Sequence, residues 1–304
     1  MGTADLQQSI RQNLEIHGPM LGKELCERHG ETSYLAMWQA CYSDLTIQIS
    51  HFSRYYLRYD ITRDDYVRLS PSILRDFLSF TLFSLPVQRD AVIARQVGLS
   101  NHHREVSIVK IRIAQTLLVD ILGWLPPTHV QKVCAFIAGD LAYFLGHDEP
   151  RKVKQTGDLV NGSDIDIIIV HEGLDDDAIR RIDDDMLTAK QFYLRSPMHR
   201  HEVDYICKPL SRMYDQFAYD DIHQKIASKI VYESLFLAGS LELYGRVRDE
   251  MEASGAQMKI ENDFDSGLAQ RKDAMQTLLK CDPNALTENI ESLFYFSQER
   301  IEFT

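Results

Sequence analysis

The chain has 304 residues, 44% hydrophobic and 26% charged, so it is long enough for roughly two domains and its composition excludes a disordered, collagen-like or coiled-coil protein. Lys and Arg number 33 against 45 Asp and Glu, a net charge of -12 that repels a phosphate backbone everywhere except at a local basic patch. The 5 cysteines (Cys26, Cys41, Cys134, Cys207, Cys281) are scattered with no CxxC pair, which argues against a disulfide framework or a zinc site and fits a reducing cytoplasm. No run approaches ~18 apolar residues, and the start lacks the basic-then-apolar pattern of a signal peptide, so no membrane contact is expected.

In chain order, the spacing predicts a helix over 5–17, a second over 21–30 that Gly30 stops, and a third from Tyr34 to Tyr42 capped by Thr32 or Ser33. Residues 45–60 and 65–71 then alternate apolar and polar side chains around a polar turn at Arg63 and Asp64, the pattern of a two-stranded ribbon. Three short helices followed by a ribbon resemble a winged helix over residues 1–72. That resemblance implies a groove-facing helix from Tyr34, and a DNA reader needs basic residues there and on the wing. The ribbon offers Arg54, Arg58, Arg63 and Arg68, but the helix offers none, and residues 1–70 hold 7 basic against 9 acidic side chains. Docking of a protein, or of another part of this chain, therefore stands beside DNA contact as the expectation.

Residues 73–130 read as a mainly helical connector that Pro126 and Pro127 end, with IARQVGLS (93–100) echoing a second helix-turn-helix that ordinary helical hairpins also mimic. Residues 221–247 read as one amphipathic helix with Ile222, Ile226 and Ile230 as its core stripe, and 251–304 as a helical cap.

The chemistry begins at VCAFIAGD (133–140) and NGSDIDIIIV (161–170). Alternation on a strand puts Asp164 and Asp166 on one face, roughly 7 Å apart along the backbone, opposite Ile165, Ile167 and Ile169. Two like charges on a buried strand are costly unless a cation sits between them, and carboxylate oxygens suit Mg2+ or Mn2+. Gly162 and Ser163 precede the pair, where backbone amides and a hydroxyl can approach a phosphate. A second alternating strand at 201–206 turns Glu202, Asp204 and Ile206 to one face, so Asp204 can join as a third acid. The unexceptional reading of such a pair is a strand end whose aspartates cap a loop.

Ile137-Ala138-Gly139, Asp164-Ile165-Asp166 and Asp204 together resemble the DNA polymerase β-like nucleotidyltransferase superfamily across residues ~131–245. The resemblance implies an α+β fold: a transferase core over 131–210 built on a mixed sheet flanked by helices, followed by a helical region over 211–304. It also implies transfer of a nucleotidyl group from a nucleoside triphosphate such as ATP to an acceptor hydroxyl, releasing pyrophosphate, with Asp164, Asp166 and Asp204 as catalytic metal ligands. The acceptor class is open: a small molecule, a protein, an RNA end or another nucleotide. Gly139, Gly162 and Ser163 would face the triphosphate, as would Lys225 or Lys229 on the following helix, with Tyr232 of that helix toward the base. The chain departs from the family pattern at Asp140, where Ser or Gly is usual, and in a longer spacer from Gly139 to Asp164 that carries Arg151, Lys152 and Lys154. The departure at Asp140 suits an alternative, a winged-helix regulator whose degenerate transferase fold senses nucleotide. No GxSxG, Walker A, post-strand GxGxxG or HExxH motif introduces hydrolase, P-loop, Rossmann or zincin chemistry.

Overall fold

The computed structural model describes residues 2–59, 67–153, 157–285 and 287–296; the expected turn at Arg63 and Asp64, and Lys154, lie outside the described residues. The chain is mixed α and β structure in two units, the first drawn from Met1–Asp60, Asp65–Asn101 and Phe264–Thr304, the second from His102–Asp263. Four expected zones thus become two: residues 73–130 form no separate connector, and the C-terminal region divides between the units.

The first unit opens with α1 (Thr3–His17), which buries Leu6, Ile10 and Leu14 at four-residue spacing. Then come β1 (Met20–Leu21), α2 (Gly22–Arg28) and α3 (Tyr34–Ser43), whose N-cap Ser33 accepts the Ala36 N–H. β2 (Gln48–His51), β3 (Tyr56–Tyr59), β4 (Val67–Ser70), α4 (Ile73–Ser79) and β5 (Thr81–Ser84) follow. The expected ribbon exists as the antiparallel β3–β4 pair, with Leu57 opposite Leu69. β2 does not belong to it; it pairs with β5, which also pairs with β1, giving a separate three-stranded sheet in the order β1-β5-β2. β5 corrects the expectation of helix through this stretch: Thr81-Leu82-Phe83-Ser84 is buried at every position, and so short a buried run carries no periodicity to separate strand from helix. α5 (Arg89–Leu122) runs unbroken through Gly98, which removes the second helix-turn-helix.

In the second unit α6 (Pro127–Val130), β6 (Val133–Ile137), β7 (Pro150–Lys152), β8 (Leu159–Asn161), β9 (Ile165–His171), α7 (Asp176–Arg195), β10 (Val203–Pro209), α8 (Leu210–Gln216), α9 (Ile222–Glu233), β11 (Leu235–Gly239) and α10 (Leu241–Ala253) succeed one another. β7 and β8 form a small antiparallel hairpin. The main sheet is mixed, in the order β10-β9-β6-β11: β9 and β10 are parallel and joined by α7, and the other two pairings are antiparallel. Ile165, Ile167 and Ile169 pack in one core with Ala178, Ile182 and Met186 of α7 and with Leu118 and Leu122 of α5. By strand alternation the opposite face carries Asp166, Ile168 and Val170. β11 breaks the single helix expected over 221–247; Gly239, at φ 88, leaves the Val133 carbonyl the space that a side chain would fill. α9 buries Ala227, Ser228 and Val231, one position away from the expected stripe, so Ile222, Ile226 and Ile230 are only half-buried.

α11 (Ala256–Leu278) and α12 (Glu288–Phe294) complete the described chain, and Leu278 and Phe294 enter the core of the first unit. The Trp38 and Phe294 rings meet edge-on at 5.9 Å, and the Gln39 amide donates to the carbonyls of Leu278 (2.6 Å) and Cys281 (2.9 Å). On α3 only Tyr34 and Ser43 stay exposed. The Arg58 and Arg68 guanidinium groups lie 4.2 and 4.5 Å from the centre of the Phe296 ring. Among the described residues, no helix is long and apolar enough to cross a membrane.

Candidate functional site

The parallel pairing of β9 and β10 places Asp204 directly opposite Asp166. Neighbouring strands lie ~4.8 Å apart and paired residues share a face, so the two carboxylates leave the same side of the sheet as neighbours. Asp164 stands one residue before β9, at the same end. The turn after β6 closes over this end: Gly139 has φ 76, and a Cβ there would come within 3.2 Å of Asp166 Oδ2. Asp140 follows immediately. Burial pushes the Asp166 carboxyl up to about 7, with the charges of Asp140, Asp204 and Glu233 adding to the rise and Lys229 opposing it.

Cations already accompany these acids. Arg151, on the β7–β8 hairpin, pairs with Asp164, donates to Glu202 (2.8 Å) and reaches the Gly162 carbonyl through Nε (2.9 Å). Lys190 of α7 pairs with Asp204, which the edge position of β10 leaves within its reach. Lys229 pairs at 2.7 Å with Glu233, which also accepts the Gly139 N–H at 3.2 Å. Burial raises the Glu233 carboxyl as well, with Lys229, the Gly139 N–H and Tyr143 opposing the rise.

The expected phosphate-facing groups divide. Gly139 and Lys229 stand at the acids, but the Gly139 N–H is taken by Glu233. Gly162 and Ser163 brace the loop instead of presenting donors to a phosphate. A Cβ on Gly162 would overlap the His147 carbonyl. The Ser163 N–H donates to that same carbonyl (3.0 Å), its hydroxyl donates to Asp140 and accepts the His147 N–H (3.0 Å), and its carbonyl receives the buried Lys110 ammonium. Burial brings Lys110 down to about 8, with Asp140 opposing that fall. Lys225 is 3.6 Å from Asp263 and 5.3 Å from the centre of the Tyr219 ring, and burial raises the half-buried Tyr232 hydroxyl with Glu261 adding to the rise; neither is brought to Asp164, Asp166 or Asp204 by a contact among the described residues. The local alternation of β9 and β10 revealed the three acids. Lys190 and Glu233 carried no comparable signal, because their importance comes from partners 14 and 94 residues away.

Among the described residues, no group of three His, Cys, Asp or Glu side chains stands ready to hold a metal ion. The donor set nevertheless fits Mg2+ or Mn2+: it consists of carboxylate oxygens, and the Asp166 carboxyl, raised first by burial and then by the neighbouring acids, is one whose charge a divalent cation would stabilise. No protein-family model matches the chain, and no characterised protein matches it in sequence.

Proposed function

We propose that the chain is a metal-dependent nucleotidyltransferase. The observation that carries this reading is the in-register pairing of Asp204 with Asp166, with Asp164 at the same strand end. These three carboxylates would hold Mg2+ or Mn2+, which when bound neutralises a nucleoside triphosphate and the charge developing on the attacking and leaving oxygens. Lys229 sets a positive charge beside Asp166. Asp204, 43% exposed on the edge strand, is open to an acceptor and takes the proton of its hydroxyl as that oxygen attacks the α-phosphorus and pyrophosphate leaves. A small molecule, a protein, an RNA end or a nucleotide would each meet this requirement for a hydroxyl.

A nucleotide-sensing regulator is the second reading, and the capture of the Gly139 N–H by Glu233 favours it, because that amide is then closed to phosphate. The order β1-β5-β2, with α2 and α3 between β1 and β2, supports a winged helix, but α3 is covered by residues of the chain's own C-terminal segment and Arg58 and Arg68 are engaged with Phe296. This favours intramolecular docking over a DNA groove contact. The test is incubation of the full chain with labelled nucleoside triphosphates, Mg2+ or Mn2+ and each acceptor class. Metal-dependent product that the D164A/D166A variant fails to make supports the transferase; nucleotide binding without product from any acceptor class overturns it in favour of the regulator.

A further inference from the structure

We propose that Lys190 is a stand-in for the divalent cation: its ammonium holds Asp204 in the metal-free protein and is displaced when metal binds. The inference rests on the transferase reading above. Ala178, Ile182 and Met186 form the buried stripe of α7, and Lys190 is the next residue at the same four-residue spacing. A lysine at that position continues the sheet-facing row, so it is not a routine solvated helix lysine. Its ammonium ends on Asp204, and among the described residues Asp204 is its one ion-pair partner.

The contrast with Arg151 indicates which cation moves. Arg151 is only 17% exposed and is held by Asp164, Glu202 and the Gly162 carbonyl together, so losing one contact leaves the others to keep it in place. Lys190 and Asp204 are 37% and 43% exposed and share one contact on a long flexible stem, so solvent compensates both groups when they part. Without a counter-charge, Asp204 would face Asp166 across adjacent strands as an unpaired carboxylate. Lys190 relieves that repulsion until a divalent ion does so more strongly.

The test is a calorimetric Mn2+ titration of the full chain, comparing the natural protein with K190Q, K190R and D204N, each first shown to be folded by circular dichroism. K190Q is expected to bind Mn2+ about 5–10-fold more tightly, because a competitor for the carboxylate is gone. K190R, which keeps the charge, is expected to bind as the natural protein does, and K190Q is expected to have no further effect in the D204N background. If the natural protein binds Mn2+ and K190Q binds it equally or more weakly, the stand-in role is overturned while the transferase reading survives. If neither binds Mn2+, with or without a nucleoside triphosphate, both fall together.

Discussion

Each unit places acidic side chains in its interior, and the two treat them differently. In the first, the buried Asp76 carboxylate is met by Arg271 at 2.8 Å, the His51 ring at 2.8 Å and the Tyr55 hydroxyl at 2.9 Å, and the buried Asp44 carboxylate is paired with Arg11. In the second, burial pushes the Asp166 carboxyl up, the charges of Asp140, Asp204 and Glu233 add to the rise and Lys229 opposes it, while Lys190 pairs with Asp204. The first arrangement is what stability requires of a buried charge, since unpaired ions in a protein interior are strongly unfavourable. The second retains repulsion that a fold selected for stability alone would have removed. Surplus like charge in one cluster and matched charge in another separate a candidate chemical centre from a structural one.

The sharpest way to break this comparison is Asp166→Asn. Nucleotidyl transfer is expected to fall at least about 1,000-fold, roughly 4 kcal/mol of barrier, in a product-formation assay; full retention of activity would make the cluster structural. The matching change in the first unit, Arg271→Ala, is expected to destabilise the protein by about 3 kcal/mol in denaturant unfolding by stranding Asp76, while leaving turnover per folded molecule unchanged. Phe294→Ala, which empties a site packed against Trp38, is expected to cost about 2–3 kcal/mol by the same measurement.

The smallest effect is a pH dependence with a definite sign. Asp166 titrates higher in the folded chain, about 7, than its ordinary value of 3.8, so the stability it contributes is complete below about pH 4 and is lost as pH rises towards 7. In EDTA, D166N is therefore expected to gain on the natural protein between pH 5 and pH 8 by about 1–2 kcal/mol, a few degrees in a thermal melt. Saturating Mg2+ is expected to narrow the gap at pH 8, because metal binds only the natural site well.

What was readable from sequence follows the range of the interactions. SDIDIII and HEVDYI encode through alternation which side chains share a face within each strand, so Asp164, Asp166 and Asp204 could be singled out, while the side of the sheet that Asp166 and Asp204 share is set by the β9–β10 register. The same local logic placed α1, α3 and the β3–β4 ribbon. It failed at Thr81–Ser84 and Leu235–Gly239, brief apolar runs embedded in helical surroundings that become strands only because β2 and β6 offer them edges. It also missed the braced state of Ser163, whose hydroxyl finds Asp140 only after the chain has returned. Leu278, Cys281 and Phe294 reach α3 through contacts that span more than 200 positions, and no window along the chain registers them.

The return of α12 to the first unit bears on synthesis. Residues 102–263 are an insertion within a unit assembled from both ends of the chain, so on the ribosome they emerge complete while the N-terminal portion still lacks Leu278 and Phe294. During that interval Trp38 and its neighbours wait without Leu278 and Phe294, the last parts of their covering.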